Sequence, residues 1–377
     1  MASAARPLTL LGMCRRNLYR QPVRTSLTAL GVAVGVVAIV AFGATTRGFW
    51  ASTNAAIHFA ESDMMVFQAG VAADLFSSLD EKATRAALLA DPDVADVASY
   101  LWQVMPAEGM PFAFLIGLNP ERMGEHQHRL LRGRYVKSDD EIILGSIAAK
   151  ILNKDVGDRM WIGREIYRIV GVFETEVVYF NGAIVMSLSK LQAISHKPGQ
   201  VTSFQVRVRP GVDGRVVADR LERTIPGIVA IVSAEQYKKV DKGLEIASFI
   251  NRRVSFLAIV VGGIIVTNTM WMAVNERTRE IGVLRAMGWS KRGIVAMIIA
   301  ESAGVGLIAW VVGCLGGVGL AKLSTELPIA AQFVDPVYDW QPFCTALAVA
   351  VVLSILGGAL PAWRAARISP VEALRHE

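Results

Sequence analysis

Residues 275–295 read NERTREIGVLRAMGWSKRGIV, a polar connector with seven charged side chains between two long apolar runs. Charge is scarce elsewhere: charged residues make up 19% of the 377-residue chain, hydrophobic residues make up 53%, and the mean hydropathy is +0.41. This composition is more apolar than that of an average soluble domain and is typical of a membrane protein. The connector therefore divides segments that we expect to lie in lipid.

Four runs are apolar and long enough to cross a bilayer as helices. About 20 helical residues span the ~30 Å hydrocarbon core. We predict an α-helical membrane protein whose transmembrane helices are residues 25–46, 254–275, 293–321 and 340–363. A cleaved signal peptide is the alternative for the first run, but the run is longer than the apolar core of such peptides and lacks a clear small-x-small cleavage site.

The distribution of basic residues predicts the orientation, since Lys and Arg mark the cytoplasmic side of short loops. Residues 1–24 hold five arginines and no acid, the connector holds five basic and two acidic residues, and residues 364–377 hold three arginines and two acids. Residues 322–339 hold one basic and three acidic residues. We expect a multi-pass protein of the inner cell membrane with both termini and the connector in the cytoplasm. Arg252 and Arg253 are the exception to this pattern.

Residues 47–253 then form an extracytoplasmic domain. Residues 47–250 carry 23 basic and 25 acidic side chains, and this balance argues against nucleic-acid binding. Cys14, Cys314 and Cys344 all lie outside the domain, so we expect it to fold without disulfides. At about 200 residues it is long enough to bury a core of its own.

Two stretches of this domain show the same order of strand, helix and strand, residues 62–104 and 202–237. In the second stretch Phe204, Val206 and Val208 alternate as in a half-buried strand. The repeat predicts a ferredoxin-like module of two βαβ units, which makes the domain α+β. Between the units, short apolar segments separated by Gly and Asp turns predict a mostly β insertion over residues 120–195.

The joints between the domain and the membrane also carry a helical pattern. No proline occurs from about Ala234 to Asn275, and apolar residues recur at helical spacing through this stretch. We predict one helix of about 40 residues here, or about 60 Å. A second helix is expected to continue the first span through residues 47–60, forming a paired stalk. Mobile linkers are the alternative, because Gly48 and Gly243 interrupt the pattern.

Within the connector, Ile281, Leu284 and Met287 are spaced three apart, which predicts a short amphipathic helix. Gly288 followed by Ser290 is typical of a helix end and a fresh N-cap. Taken alone, such a helix could simply rest in the lipid interface.

Three segments together resemble the MacB/FtsX-like permeases of ATP-binding-cassette (ABC) transporters. They are the connector with ESAGVGLIAWVVG at residues 301–313, GALPAWRAARISPVEALRHE at residues 358–377, and RNLYRQPVRTSLTALGVAVGV at residues 16–36. The resemblance covers both ends of the chain closely and the outer domain by its layout.

The resemblance implies a permease that works as a dimer, with a second copy of itself or a related chain, and with cytoplasmic ABC ATPase subunits that bind ATP and Mg. It implies that residues 276–292 are the coupling helix, which docks on the ATPase, and that residues 8–20 are an N-terminal amphipathic helix. A periplasmic adaptor protein and membrane lipid are further candidate partners. The expected coupling residues are Glu276, Arg277, Arg279, Glu280, Ile281, Leu284, Arg285, Met287 and Gly288.

Enzymatic motifs do not occur in the sequence. There is no phosphate-binding GxxxxGK[ST] loop and no Gly-Lys dipeptide, so we expect ATP hydrolysis in a separate subunit and a permease that is itself no enzyme. No cofactor is expected in this chain. His126 and His128 beside Glu125 have the pattern of a solvated polar loop rather than of a metal site.

Glu301 is the one charge inside a predicted span, about 12 Å from its cytoplasmic end. An ionised carboxylate in lipid is costly, so we expect it to face protein or water. The expected role is a structural hydrogen bond to a neighbouring helix or to Arg24, and proton coupling is the alternative. Two glycine pairs, Gly31 with Gly35 and Gly313 with Gly317, allow close helix approach, within the chain or at a dimer seam.

The function that these features favour is export or extraction of an amphipathic substrate, a peptide, small molecule, lipid or lipoprotein. The expected mechanism is transmission of ATP-driven motion from the coupling helix to the outer domain. The alternative is a membrane-anchored scaffold or a regulator of an extracytoplasmic cell-wall hydrolase, without transport.

Overall fold

The computed structural model describes residues 22–71, 74–123, 129–239, 242–327, 331–332 and 335–367. The chain divides into two units. The helical unit comprises Met1–Thr45, Ile250–Leu323 and Val337–Glu377, and the outer unit comprises Thr46–Phe249 and Ser324–Pro336.

The helices and strands follow one another in mixed order, with the long helices toward the two ends of the chain. The helices are α1 Pro22–Ile57, α2 Glu81–Leu89, α3 Ser146–Leu152, α4 Val178–Asn181, α5 Leu188–Ile194, α6 Gly214–Thr224, α7 Lys242–Glu276, α8 Thr278–Ala286, α9 Lys291–Thr325 and α10 Trp340–Arg367. The strands are β1 Met64–Gln68, β2 Leu79–Asp80, β3 Val94–Ala107, β4 Met110–Leu118, β5 Arg129–Gly133, β6 Glu141–Gly145, β7 Arg159–Ile162, β8 Glu165–Glu174, β9 Ile184–Ser187, β10 Gln200–Val201, β11 Ser203–Val208 and β12 Ile228–Ile231.

The prediction of four membrane-spanning helices is confirmed. Among the described residues, four helices are long and apolar enough to cross a membrane: Thr25–Glu61, Arg253–Glu276, Lys291–Thr325 and Trp340–Arg367. Each contains one of the four predicted apolar runs completely.

Glycines bring these helices into direct contact. A methyl group on Gly313 of α9 would lie 2.4 Å from Val36 of α1, and one on Gly306 would lie 2.9 Å from the carbonyl oxygen of Ala350 on α10. On α10, a methyl group on Gly357 would lie 2.8 Å from Val266 of α7. Since real Cβ atoms do not approach this closely, glycine is required for the helix spacing. Both predicted glycine pairs face helices of the same chain.

The outer unit contains the predicted ferredoxin-like module. Its strands lie in the order β12-β1-β11-β3, all pairs are antiparallel, and α2 and α6 are the two crossover helices. Asp80 and Asp213 cap these helices by accepting hydrogen bonds from the backbone amides of Ala83 and Arg215. The repeated order of strand, helix and strand in the sequence therefore corresponds to two βαβ units that share one sheet.

The insertion begins earlier than predicted and closes on itself. The first half of β3 pairs with β11, while its second half, from Leu101, pairs with β4 in a hairpin. From β4 the pairing continues through β9, β6, β8 and β7, and β7 returns to β3 at Ala107 and Ile162. The insertion is thus a six-stranded barrel that starts at Leu101 rather than at residue 120. The sheet is mixed, since β4 with β9 and β6 with β8 are parallel.

The expectation that β11 is half-buried is wrong, because both faces of its sheet are covered. One buried cluster contains Phe204 and Val206 together with Leu88 of α2 and Leu221 of α6. On the other face, Gln205 is 3% exposed and its amide donates a 3.2 Å hydrogen bond to the backbone carbonyl of Ala56. The end of α1 thus covers the face that the alternation assigned to solvent.

The helix predicted from about Ala234 is shorter than expected. Residues Ala234–Lys239 form a 3-10 helix, and Tyr237 is 4% exposed in the aromatic core of the outer unit. The long helix α7 begins at Lys242 and has 35 residues, about 52 Å. As predicted, the first span continues outward, and α1 runs to Ile57.

Candidate functional site: the connector between the second and third spans

The connector is a short helix joined to the second span by a single residue. The helix α7 ends at Glu276, Arg277 has φ −105° and ψ 15°, and α8 begins at Thr278. The hydroxyl of Thr278 donates to the backbone carbonyl of Asn275 at 2.8 Å, which ties the two helices together at the bend.

The other end of α8 is also closely defined. Gly288 has φ +94°, a left-handed conformation that glycine adopts without steric cost, and its amide donates to the carbonyl of Arg285 at 3.1 Å. The hydroxyl oxygen of Ser290 then accepts a 3.1 Å hydrogen bond from the amide of Gly293 in the first turn of α9. The helix stop and the new N-cap lie where the sequence predicts them.

An ion pair joins the start of α8 to the interior of α9. The Nη1 atom of Arg277 donates to both carboxylate oxygens of Glu301, at 3.1 and 3.0 Å, and its Nε donates to Glu280 at 3.3 Å. Glu301 is 9% exposed. The structure therefore gives Glu301 an intrachain partner on the connector; the side chain of Arg24, the partner named from the sequence, lies outside the described residues.

One face of α8 packs against the spans. Ile281 is 2% exposed and lies in the same buried cluster as Met270, Val274 and Met297, and Leu284 is half-buried against it. Ile281 therefore holds the connector on its own chain and is not available to a partner.

The opposite face of α8 is accessible. Met287 is 66% and Val283 is 41% exposed, and Glu276, Arg279 and Glu280 are exposed beside them. We call Arg279, Glu280, Val283 and Met287 the connector surface. Arg285 points away from this surface, because its guanidinium donates to the backbone carbonyl of Trp289 at 2.9 Å.

Sequence reasoning missed two features of this region. Val283 was not among the predicted site residues. The only signal for it in the sequence was its position between the apolar residues Ile281 and Leu284. The pairing of Arg277 with Glu301 was also missed. The signal available was that Arg277 is the first basic residue after one span while Glu301 is the only acid within the next.

Several predicted features fall outside the described residues. These are the amphipathic helix at residues 8–20, the His126 and His128 pair with Glu125, and the tail from residue 368. Within the part of the chain that the structure describes, no group of three or more His, Cys, Asp or Glu residues is arranged to hold a metal ion.

Four helices able to span a membrane, an α+β domain between the first two of them and a short helix between the second and third define a polytopic membrane protein. Comparison with known families is more specific. Residues 25–224 match the MacB-like periplasmic core domain, and residues 253–370 match the FtsX-like permease C-terminal family. The chain belongs to the MacB/FtsX-like family of ABC transporter permeases.

Individual relatives agree with this assignment. The chain is 26% identical over 397 residues to the macrolide export ATP-binding/permease protein MacB of Brucella melitensis, which covers 97% of this chain and 60% of that protein. It is 24% identical to the ABC transporter permease MJ1507 of Methanocaldococcus jannaschii, over 65% of both chains. It is 25% identical to the permease YknZ of Bacillus subtilis, over 69% of both chains.

The chain thus covers 60% of the length of the Brucella melitensis protein and 65% of the length of MJ1507. Among solved structures, the periplasmic region of MacB from Actinobacillus actinomycetemcomitans is similar at 14% identity with a TM-score of 0.39, covering 48% of this chain and 92% of that one.

Proposed function

We propose that this chain is the permease subunit of an ABC transporter and that its connector receives force from a partner ATPase. The observation that carries the proposal is the double attachment of α8. Its inner face is packed on the spans through Ile281, and its first turn is held on α9 by the ion pair of Arg277 with Glu301. Because α8 is fixed in this way, a push on its exposed face is passed to α7 and α9 together.

The proposed orientation places the connector and both termini in the cytoplasm. Basic residues outnumber acidic residues in the connector and at both ends, which is the pattern of cytoplasmic loops. In this orientation the connector surface faces the compartment that supplies ATP. The outer unit, most of whose residues match the MacB-like periplasmic core domain, is then proposed to lie on the opposite side of the membrane.

The proposed mechanism uses helix stiffness rather than a pathway through the spans. The helix α7 has 35 residues without proline and runs directly into the connector. When two ATPase subunits bind ATP and close, each connector is displaced, α7 carries that displacement as a lever, and the outer domains of a permease dimer change their spacing. ATP and Mg belong to the ATPase in this scheme, and the permease itself catalyses no reaction.

The substrate proposed is amphipathic, a peptide, small molecule, lipid or lipoprotein that is exported or extracted from the membrane. The support is the size of the outer unit, which combines a ferredoxin-like module with a closed barrel. The name of the Brucella melitensis relative, a macrolide export protein, is consistent with an amphipathic cargo. A periplasmic adaptor is a further proposed partner.

The test is the variant Met287→Asp, which places a charge in the connector surface. Met287 is 66% exposed, so the change leaves the fold intact, whereas Leu284→Asp also disturbs packing on the spans. Burying an uncompensated charge at an interface typically weakens association by about 2 kcal/mol or more, roughly 30-fold. Co-purification of the ATPase with tagged permease and ATP-driven transport should both fall.

The matched control is Val216→Asp on α6, since Val216 is an apolar residue of the outer unit that is 60% exposed. It should retain ATPase binding and transport. Wild-type levels of both in Met287→Asp would contradict the proposal.

The second candidate function is a membrane-anchored scaffold or hydrolase regulator. A scaffold of this kind has no need of an ATPase, so tagged protein would be isolated without ATP hydrolysis. A transporter should bring down an ATPase in a ratio near one to one. Co-purification therefore separates the two functions before any substrate is known.

A further inference from the structure

A second surface of the helical unit has the form of a ligand site. Between α7 and α10 lies an open groove of about 700 Å³. Its walls are apolar: Ile264 is 63%, Leu356 66% and Val260 40% exposed, with Leu353 beside them. Exposed side chains of this kind are accommodated in the hydrocarbon of a bilayer, so the groove faces lipid.

The groove has the length of one lipid leaflet. On α7 its lining runs from Val260 to Trp271, eleven steps of 1.5 Å or about 16 Å. Half of a ~30 Å hydrocarbon core is ~15 Å. On α10, Leu353 lies near the middle of the predicted span 340–363 and Arg364 follows directly after its end, so an acyl chain that lies along α10 would reach from near the bilayer midplane to the interface.

A basic and aromatic group closes the interfacial end. The guanidinium of Arg364 lies 4.7 Å from the ring centre of Trp271, and that of Arg367 lies 3.9 Å from the ring centre of Trp363. Stacking on a ring face fixes the guanidinium plane and leaves its N–H donors directed outward along its edge. Within the described residues, no carboxylate lies within 4.0 Å of either arginine.

A neutral polar side chain stands between the apolar walls and the arginines. Asn268 lines the groove and is exposed, three residues or about 4.5 Å before Trp271. Ester carbonyls of a phospholipid lie just inside its phosphate, at this level. The order of apolar walls, amide and guanidinium therefore follows the order of acyl chain, ester and phosphate.

We propose that the groove between α7 and α10 binds one anionic phospholipid. Its acyl chain lies against Ile264, Leu353 and Leu356, and its phosphate accepts hydrogen bonds from Arg364. Trp271 positions that arginine at the interface, where indole side chains are enriched. Basic pockets between membrane helices are a known means of holding anionic headgroups.

The charge at the end of the groove selects this occupant over a second copy of the chain. The one acidic side chain in the four predicted spans is Glu301, which is 9% exposed and already bonded to Arg277, so a transmembrane helix of a second copy has no accessible carboxylate to bring to the two guanidinium groups. A phospholipid supplies both the apolar chain and the negative charge. This proposal is independent of the connector, because none of its residues belongs to α8.

Native mass spectrometry of the full chain, released from detergent micelles with added phosphatidylglycerol or phosphatidylcholine, tests the proposal. The wild-type chain should retain phosphatidylglycerol preferentially. Arg364→Gln should weaken its retention about fivefold, the effect of one basic side chain near an anionic surface. Arg364→Lys, which keeps the charge and loses the planar stack, should be intermediate. The control is Arg292→Gln, an exposed arginine at the start of α9, which should retain lipid as the wild type does.

A phosphatidylglycerol with a photoreactive acyl chain should crosslink to Leu353 or Leu356. Three results would overturn the proposal. The first is equal lipid retention by Arg364→Gln and Arg292→Gln. The second is displacement of the lipid by glycerol phosphate at the same concentration, which would indicate a site for free phosphate. The third is a change of oligomeric state in Leu356→Trp without loss of lipid, which would assign the groove to a second copy.

Discussion

Arg277 and Glu301 stand 24 positions apart, yet the guanidinium donates to both oxygens of the carboxylate, at 3.1 and 3.0 Å. The pair links the bend that precedes α8 to the third turn of α9. Contact with both oxygens restricts orientation as well as distance. Since Glu301 is 9% exposed, removal of Arg277 would leave a buried charge without its partner.

The first prediction concerns this pair. Glu301→Gln and Arg277→Gln should each lower the melting temperature of the purified protein, because Arg277→Gln leaves the buried Glu301 carboxylate without its partner and Glu301→Gln removes the carboxylate that Arg277 contacts at both oxygens. The double variant should be less destabilised than the sum of the two, with a coupling of about 0.5 to 3 kcal/mol. Thermal unfolding of the four proteins, followed by tryptophan fluorescence, measures the coupling.

Additive effects would contradict a direct interaction. The same variants separate the structural role of Glu301 from proton transfer. If the carboxylate only holds the connector, Glu301→Gln should impair transport and ATPase coupling together. Loss of transport with ATP hydrolysis still regulated by the permease would indicate proton coupling instead.

The second prediction concerns the contact of α9 with α1. Gly313→Ala should destabilise the protein by about 1 to 3 kcal/mol, because the new methyl group would lie 2.4 Å from Val36 and 3.0 Å from the carbonyl oxygen of Ala33. Gly319→Ala on the same helix is the matched control, since no atom lies within 4 Å of its Cβ position. Melting temperatures in one detergent compare the two.

Adding Val36→Ala to Gly313→Ala should recover only a small part of the lost stability, because it removes Cγ1 of Val36, 2.5 Å from the new methyl group, but keeps Cβ at 2.4 Å. Equal melting temperatures for Gly313→Ala and Gly319→Ala would show that the helices do not touch at this point. If Gly313→Ala changed only the oligomeric state, the glycine would belong to a dimer seam.

The membrane part of the fold could be predicted from the sequence because hydrocarbon imposes a simple requirement. A helix that crosses it must present a long uncharged run, and each of the four runs became a helix. The ferredoxin-like module was predictable for a similar reason, since alternation with period two and spacing with period 3.6 are local signals.

The rest depended on contacts between distant segments, which a local pattern does not report. Alternation in β11 assigned one face to solvent, but the end of α1, more than 140 residues earlier, covers it through Ala56. The barrel closes through a single pairing of Ala107 with Ile162. Gln332, in the loop between the last two spans, is 3% exposed, and a methyl group on Gly182 would lie 2.8 Å from its Cα atom.

The prediction of a short helix in the connector is confirmed, but the direction of its apolar face could not be predicted. The helical period of 3.6 residues places Ile281, Leu284 and Met287 on one face of the helix. An apolar face can pack either against the protein's own spans or against a partner. In the structure, Ile281 packs against the spans and Met287 is exposed.

The third prediction is a pH dependence in the barrel. The guanidinium of Arg134 and the backbone amide of Lys137 donate to the carboxylate of Glu141, and mainly the Arg134 hydrogen bond lowers the pKa of Glu141 from 4.5 to about 2. A carboxyl group with a depressed pKa stabilises the folded state above its unfolded value, and the stabilisation disappears as the pH falls from about 4.5 towards 2. Glu141→Gln should therefore be less stable than the wild type at pH 7.

The difference between Glu141→Gln and the wild type should shrink steadily below pH 4.5. Urea unfolding at several pH values measures it, and subtraction removes the titration of other acids. Glu174→Gln, an exposed carboxylate of β8, should change stability little and serves as control. A difference that stayed constant down to pH 2 would contradict the role assigned to the ionised Glu141.

The last prediction concerns the aromatic core on the second face of the sheet. Trp102 is 2% exposed, and its ring centre lies 5.8 Å from that of Phe67, 6.1 Å from that of Phe114 and 6.4 Å from that of Phe180, all edge to face. Trp102→Ala removes these contacts and leaves a large cavity, so it should cost about 3 to 5 kcal/mol. Trp161→Ala, on a barrel strand where the side chain is 50% exposed, should cost about 0.5 kcal/mol or less. Denaturant unfolding of the two variants compares these costs, and a similar loss in both would mean that the second face of the sheet is not a packed core.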